Sequence, residues 1–245
     1  MTYEYLLINA YHEFTLRYVN SESAHAIKSL ILDSGVHSVF HRFKLKEYPG
    51  GYQRWIERVV NLWSAVSKLV DDSYAVVPDY PADYEGNEIE DNVERTFRNI
   101  EYAVNRYPYV RWIIPLQGKK DDAASIIKSF EYVRDLGLLK RYNYIAISPT
   151  CTTYKIKFLR YVAKAILKRV KQIERNGRRI KIHMFGTTMK AWRYLAPLID
   201  STDAVVSNYL CMYTLGRMCT KKSEKESAWR MFLERASQVA AITRL

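Results

Sequence analysis

Residues 110–148 read VRWIIPLQGKKDDAASIIKSFEYVRDLGLLKRYNYIAIS, and this stretch decides the fold. It opens with a short apolar run from Val110 to Leu116 and continues with a segment of helical periodicity from Asp121 to Leu136. A second apolar run, from Tyr144 to Ser148, closes it. A strand, a helix and another strand in this order are typical of a βαβ unit, in which the two strands lie parallel in one sheet.

The same alternation extends along the chain in both directions. Seven apolar runs predict strands, which are Tyr5 to Ala10, Leu30 to Asp33, Tyr74 to Asp79, Val110 to Leu116, Tyr144 to Ser148, Ile180 to Phe185 and Ala204 to Ser207. The segments between them predict helices, which are Gln53 to Val70, Glu90 to Arg106, Asp121 to Leu136, Tyr154 to Arg175, Lys190 to Ile199 and Glu224 to the C-terminus. We therefore predict an α/β fold of the (β/α)8 TIM-barrel type, in a reduced or irregular form, as one domain over residues 1–245.

Composition favours a polyanionic partner and a reducing compartment. The chain carries 38 Lys and Arg against 26 Asp and Glu, a formal net charge of +12. This charge favours nucleic acid as the partner, and a basic surface without a binding role is the alternative. Cys151, Cys211 and Cys219 show neither disulfide nor zinc spacing. Since the sequence shows no secretion leader and no long apolar stretch, we expect a soluble, cytoplasmic protein without a membrane partner.

Polar or small residues stand where the predicted strands end. In a (β/α) barrel the loops that follow the strands converge on one mouth, and that mouth carries the chemistry. The residues at these positions are Asp33, Asp79, Gln117, Ser148 and Gly186, with Asp203 at the start of the last predicted strand. Each acid could also be the N-cap of the next helix, and Gln117 or Ser148 could belong to a plain turn. Their joint occurrence favours a site for a polar ligand.

Six segments in this order resemble those of the guanine transglycosylases, which exchange guanine in tRNA or DNA for a 7-deazaguanine base. They are Leu32-Asp33-Ser34-Gly35-Val36-His37-Ser38-Val39-Phe40, Val77-Pro78-Asp79-Tyr80-Pro81, Ile114-Pro115-Leu116-Gln117-Gly118, Ile145-Ala146-Ile147-Ser148, His183-Met184-Phe185-Gly186 and Asp200-Ser201-Thr202-Asp203. The resemblance covers roughly residues 29 to 210, with the spacing between segments comparable to that of the family.

The sequence also departs from the family pattern. Val36 replaces the second glycine of the Asp-Ser-Gly-Gly motif, and Ile147-Ser148 replaces a glycine pair. The Pro-Thr-Arg that follows the nucleophile in the family is Ser207-Asn208-Tyr209 here. The zinc motif of the tRNA enzymes is absent from the sequence. The chain thus resembles a compact form of the family without the zinc module.

The resemblance implies a role for each matched residue. Asp203 would be the nucleophile that attacks the sugar, and Asp33 would be the general acid and base. Asp79 would accept hydrogen bonds from the guanine edge and Gln117 would donate to the guanine carbonyl oxygen. Ser34, Ser148 and Gly186 would complete the pocket. The reaction implied needs no metal and no cofactor, and its small-molecule partner is free guanine or a 7-deazaguanine.

A base can react only after it leaves the stack, so the enzyme needs a positive surface and aromatic rings at the mouth. The basic helix from Tyr154 to Arg175 and its exit supply the predicted nucleic-acid contacts, which are Lys155, Lys157, Arg160, Arg178 and Arg179. A solvated outer face is the alternative. The rings that could stack on bases are Tyr48, Tyr52, Trp55, Tyr80 and Tyr84, and packing in the core or rim is the alternative for each.

Two other functions use the same residues. A degenerate barrel could bind nucleic acid without turnover, and a nucleoside or glycoside hydrolase could use the same acid pair with water as the acceptor. The choice between DNA and tRNA and the oligomeric state both stay open at this point.

Overall fold

The computed structural model describes residues 5–11, 27–82, 89–148, 155–174 and 177–203, together with residues 150, 153 and 224. Seven strands form one sheet in the order β1 to β7, and every neighbouring pair is parallel. They are β1 (Tyr5–Asn9), β2 (Ser29–Asp33), β3 (Ser73–Val76), β4 (Trp112–Leu116), β5 (Tyr144–Ile147), β6 (Lys181–Met184) and β7 (Ser201–Thr202). The prediction of an α/β fold with a parallel sheet is confirmed.

Five α-helices follow strands of this sheet. They are α1 (Tyr52–Val66), α2 (Ile89–Arg106), α3 (Ala123–Asp135), α4 (Ile156–Glu174) and α5 (Met189–Leu195). A π-helical turn covers His37–Arg42 and a 3-10 turn covers Leu138–Lys140. The helices pack their apolar faces on the sheet. In α4, for example, Leu159, Val162, Ala163, Ile166 and Val170 are buried at helical spacing.

The sheet is curled into a half-barrel. In a flat sheet the ends of β2 and β7 would lie about 24 Å apart, since neighbouring strands are about 4.8 Å from one another. The charge of Asp203, directly after β7, nevertheless raises the pKa of Asp33 at the end of β2. The curl of the half-barrel brings these two strand ends toward the same mouth, which lets the two carboxyl groups interact.

Each face of the sheet carries its own apolar cluster. The larger cluster lies between the sheet and the helices and includes Leu32, Ile114 and Ile145. The smaller one lies on the other face and consists of Tyr74, Val76, Ile113, Tyr144 and Ala146. Because side chains alternate along a strand, these five belong to the concave interior of the half-barrel. The interior is thus a packed core below the mouth.

The predicted boundaries are right to within a few residues, with corrections at three strand or helix ends. The third strand ends at Val76, so that Asp79 lies in the following loop. The first long helix ends at Val66 and the fifth at Leu195, each four residues before the predicted end. Glu224, the first residue of the predicted last helix, is helical, and the rest of that helix lies outside the described residues.

The predicted strand at residues 204–207 lies outside the described part of the chain. The seventh strand of the structure is formed earlier, where Ser201 and Thr202 pair with His183 and Met184 of β6. Asp203 therefore directly follows β7. This moves Asp203 to the carboxyl end of β7, where the chemistry of a parallel barrel is expected.

Helix α3 has a side-chain cap that offers a test of the fold. Asp122 accepts hydrogen bonds from the backbone N–H groups of Ala124 (2.9 Å) and Ser125 (3.3 Å). Asp122→Ala should lower the free energy of unfolding by about 1 kcal/mol, because these donors lose their partner. Urea titration followed by circular dichroism measures this change.

Asp135 is the matched control for that substitution. It lies exposed in the last turn of the same helix and pairs only with its neighbour Arg134. Asp135→Ala should change the free energy of unfolding by less than about 0.5 kcal/mol. Equal losses in the two variants would mean that the cap does not contribute as described.

In the part of the chain that the structure describes, no helix has both the length and the apolar character needed to cross a bilayer.

Candidate functional site

The mouth of the half-barrel brings together the acids predicted from the strand ends. Burial, then the charge of Asp203 and then that of Asp79 raise the pKa of Asp33 from 3.8 to about 7. Hydrogen bonds from the backbone of Gly35 and Ser34 work in the opposite direction and only partly offset this rise. The charges of Asp203 and Asp79 thus both act on Asp33, and Asp33 keeps its proton to near-neutral pH.

Asp33 is oriented by groups on β1 and in its own loop. The Nδ2 of Asn9 donates to Oδ2 of Asp33 (3.2 Å), and the N–H of Gly35 donates to the same oxygen (3.3 Å). Gly35 has φ +84°, and a Cβ there would lie 3.0 Å from Oδ1 of Asn9. Only glycine combines this backbone conformation with so close an approach. The turn after β2 is therefore built to hold Asp33 against β1.

Asn9 was not predicted as a site residue. It is the last residue of β1 and lies in register with Asp33 across the β1–β2 pair. The predicted strand runs to Ala10, so the strand-end rule does not select Asn9. A strand that ends at Asn9, as in the structure, places the Asn9 side-chain amide at the mouth.

Asp79, Gln117 and Ser34 form one buried cluster. Gln117 donates from Nε2 to Oδ2 of Asp79 (2.6 Å), and the hydroxyl of Ser34 donates to Oδ1 (3.5 Å). Tyr48 closes the cluster from the loop side by donating to the backbone carbonyl of Asp79 (2.5 Å). All four residues are at most 2% exposed. Three predicted pocket residues are thus adjacent, but they bond to one another below the mouth.

Asp203 is held by a single carboxylate oxygen. The N–H of Gly186 donates to Oδ1 (2.8 Å), and Nε2 of His183 lies 3.3 Å from the same oxygen. Within the described residues Oδ2 has no hydrogen-bond partner. The side chain of Asp203 is 22% exposed, whereas that of His183 is 2% exposed. The predicted Gly186 therefore contributes its backbone N–H to the orientation of Asp203.

A chain of hydrogen bonds continues from His183 into the interior of the half-barrel. Nδ1 of His183 lies 2.7 Å from Oγ of Ser201, which lies 2.6 Å from the hydroxyl of Tyr144. Because an ionised carboxylate only accepts, Nε2 of His183 carries the hydrogen toward Asp203. In the neutral ring Nδ1 then accepts from Ser201, and Ser201 accepts from Tyr144. Burial raises the pKa of Tyr144 to about 12, so Tyr144 keeps the proton that it donates.

His183, Ser201 and Tyr144 were not predicted as parts of the site. The sequence analysis places His183 in the segment His183-Met184-Phe185-Gly186 and predicts no role for its side chain. The signal that could have found it is period-two alternation, since His183 and Ser201 are paired residues of β6 and β7 and Tyr144 lies on the neighbouring strand β5.

Ser148 lies beside this site without a recorded contact to its acids. It is 5% exposed and its N–H donates to the carbonyl of Leu116 (3.0 Å). This bond extends the pairing of β4 and β5 by one residue toward the mouth. Ser148 therefore helps to fix the loop ends of two central strands.

The five basic residues predicted to contact nucleic acid do not lie together. Lys155, Lys157 and Arg160 stand at the start of α4, on the side of the mouth, and all are exposed. Arg178 and Arg179 precede β6 and lie at the opposite end, since α4 is about 28 Å long at 1.5 Å per residue.

The structure therefore places Arg178 and Arg179 away from a strand bound at the mouth. Both guanidinium groups also have protein partners there. Arg178 donates to the backbone carbonyls of Lys140 and Arg141, and Arg179 pairs with Asp200. These two arginines join loops at the amino ends of the strands.

The aromatic residues proposed to stack on bases are mostly core residues. Tyr48, Trp55 and Tyr80 are at most 5% exposed and contact one another, which supports the packing alternative for these three. Tyr52 is half-buried at the start of α1, and Tyr84 lies outside the described residues. Among the described residues no group of three His, Cys, Asp or Glu side chains is placed to hold a metal ion.

No protein-family model matches this sequence, and no curated protein matches it. The resemblance to guanine transglycosylases therefore stays a prediction, to be judged on the chemistry of the mouth.

Proposed function

We propose that this protein is a guanine transglycosylase that exchanges guanine in DNA or tRNA for a 7-deazaguanine through a covalent link between Asp203 and the sugar. The observation that carries the proposal is the acid group at the mouth, where Asp203 and Asp79 help to raise the pKa of Asp33 to about 7. Two carboxyl groups in different protonation states are what this exchange requires, one as a nucleophile and one as an acid. The fold proposed with it is a reduced (β/α) barrel of the TIM type.

In the first step Asp203 supplies an electron pair to the anomeric carbon. The bond between an oxygen of Asp203 and this carbon forms while the bond from the sugar to the guanine nitrogen breaks. The guanine leaves with the electron pair of the broken bond. Gly186 and His183 both bind Oδ1, which orients the carboxylate and leaves Oδ2 without a described partner. Oδ2 is therefore the oxygen that we assign to the attack.

Asp33 donates a proton to the departing guanine and accepts one from the arriving base. Its carboxyl group is protonated below about pH 7 and can give that proton to the leaving guanine. The resulting carboxylate then takes a proton from the incoming base, whose nitrogen attacks the anomeric carbon and displaces Asp203. Atoms and charges balance over the two steps, and each carboxyl group returns to its first state.

Asp79 and Gln117 provide polar groups suited to the edge of guanine. The amide nitrogen of Gln117 has two hydrogens and gives one to Asp79, so the second can be donated to a carbonyl oxygen of the base. A carboxylate accepts up to about four hydrogen bonds, so Asp79 can receive donors of the base in addition to Gln117. Since both side chains are buried, base binding requires the mouth to open above this cluster.

The test is incorporation of labelled guanine by the purified protein. Labelled guanine is incubated with the protein and either DNA or bulk tRNA, and the label in each polymer is counted. We expect label in one of the two, together with a covalent protein–nucleic acid band on a denaturing gel. Release of free base without incorporation would favour the hydrolase, and salt-sensitive binding with neither release nor incorporation would favour the degenerate barrel.

His183 offers a further prediction, because it acts on Asp203 and does not contact the base. His183→Ala should lower kcat about 100-fold with little change in KM, since Asp203 loses one of its two orienting donors. His183→Gln should restore much of the loss, because its amide can donate from nearly the same place. Steady-state kinetics of exchange measures both, and thermal unfolding shows that each variant is folded. Equal kcat for the folded Ala and Gln variants would contradict this role.

A further inference from the structure

An exposed aromatic ring and several cations lie side by side after the π-helical turn. Residues 42–46, here called the rim segment, read Arg42-Phe43-Lys44-Leu45-Lys46, and all five are exposed. Phe43 is 43% exposed although it is a large apolar residue. Its ring stacks on that of Tyr11, with centroids 4.8 Å apart and planes 23° from parallel. One face of the Phe43 ring is thus supported by the protein.

The rim segment is linked to Asp33 by three direct contacts. Phe43 stacks on Tyr11, and the N–H of Tyr11 donates to Oδ1 of Asn9 (2.8 Å). The amide nitrogen of Asn9 donates to Asp33 (3.2 Å). Phe43 therefore lies on the rim of the mouth, on the side of β1 and β2.

The charge around this ring is positive. Arg42 lies over Phe43, with its guanidinium carbon 5.4 Å from the ring centroid, and Lys44 and Lys46 follow. The one acid beside them, Glu47, is paired with Arg95 at 2.6 Å. Lys44 has φ +56°, a left-handed conformation that is strained for a residue with a Cβ. The chain turns sharply here while the residues on both sides stay exposed.

We propose that the rim segment binds an unpaired stretch of nucleic acid beside the target base, with a neighbouring base stacked on Phe43 and its phosphates near Arg42 and Lys46. The inference rests on the proposed function for the identity of the target base only. A partly exposed ring that packs on Tyr11 and has cations beside it is the kind of platform that single strands use in sequence-tolerant binding. The site replaces the contacts that were expected from Arg178 and Arg179.

The experiment measures binding without turnover. Fluorescence anisotropy of a labelled single-stranded oligonucleotide and of the matching duplex gives Kd for the wild type, Phe43→Ala and Phe43→Trp. Phe43→Ala should weaken binding of the single strand about 10-fold and that of the duplex much less, because the variant loses the ring on which one base stacks. Phe43→Trp should bind as well as the wild type. Near-ultraviolet circular dichroism confirms that each variant is folded.

Tyr109 is the matched control for the ring. It is 62% exposed and stands before β4, at the end of the sheet away from the mouth, so Tyr109→Ala should leave Kd unchanged. For the charges, Arg42→Ala with Lys46→Ala should reduce the dependence of log Kd on log salt by about 1.4, whereas Arg178→Ala with Arg179→Ala should not reduce it.

Two outcomes would overturn the rim segment as the binding surface. One is an unchanged Kd for folded Phe43→Ala, and the other is an equal loss for Phe43→Ala and Tyr109→Ala. The proposed function is judged separately by guanine incorporation in the wild type. If Phe43→Ala loses single-strand binding and the wild type incorporates no guanine, the surface stands and the transglycosylase proposal fails. If the wild type incorporates guanine and Phe43→Ala binds normally, the transglycosylase proposal stands and the rim segment is not the binding surface.

Discussion

Asp203→Asn should abolish guanine exchange, with a loss in kcat on the order of 1000-fold or more, while binding of nucleic acid stays within about twofold of the wild type. Asparagine keeps a carbonyl oxygen that can accept from Gly186, so the loop after β7 should keep its shape. It cannot supply the charged oxygen that forms the covalent link to the sugar. The covalent band on a denaturing gel should disappear together with incorporation of label.

A second effect of this substitution is independent of catalysis. The charge of Asp203 is the second largest cause of the raised pKa of Asp33, after burial. Asp203→Asn should therefore shift the pKa of Asp33 toward its ordinary value. Carbon-13 NMR of the Asp side chains as a function of pH measures this shift.

The control for Asp203→Asn is Asp135→Asn, which removes one exposed carboxylate far from the mouth. It should leave both the exchange rate and the titration of Asp33 unchanged. Full exchange activity in Asp203→Asn would exclude Asp203 as the nucleophile. An unchanged titration of Asp33 would show that the charge of Asp203 does not influence Asp33.

Most of the fold could be predicted from local hydrophobic periodicity. The βαβ unit from Trp112 to Ile147 follows from two buried apolar runs around a segment with Ile126, Phe130 and Val133 at helical spacing. Helix ends were less predictable, because α1 stops at Val66 although apolar residues continue beyond it. The two-residue strand β7 has no sequence signal of its own and exists through its pairing with β6.

The candidate site was predictable only where it follows from strand ends. Asp33 and Gln117 directly follow or end short buried runs, so the barrel rule placed both of them correctly. The contacts that orient the acids join residues far apart in sequence, such as Asn9 with Asp33 and His183 with Asp203. A single sequence does not show which distant residues pair. These contacts could be found only from the register of the strands in the sheet.

The sequence also could not show which basic residues share one surface. Lys155 and Arg178 stand at the two ends of one basic stretch, and in sequence they look like one surface. A helix of 19 residues lies between them, so they belong to opposite ends of the half-barrel. Charge counts predicted a partner but could not locate its binding surface.

Asp33→Asn should lower kcat by about 100- to 1000-fold and remove the fall in kcat/KM above pH 7, because the proton that leaves with guanine comes from this carboxyl group. In the wild type kcat/KM should decline as the pH rises through about 7, where Asp33 loses its proton. The profile of the variant should be flat over this range. A decline of the same shape in Asp33→Asn would assign the titration to another group.

Above pH 7 the substitution Asp33→Asn should change stability in the opposite direction to activity. The folded pKa of Asp33 lies above its ordinary value of 3.8, so the folded state binds a proton between about pH 4 and 7 that the unfolded chain has lost. The free energy of unfolding of the wild type must therefore fall as the pH rises through this window and stay lower above it. The full shift corresponds to at most about 4 kcal/mol. Asp33→Asn has no charge to bury, so urea titrations should find it more stable than the wild type at pH 8 and little different at pH 4.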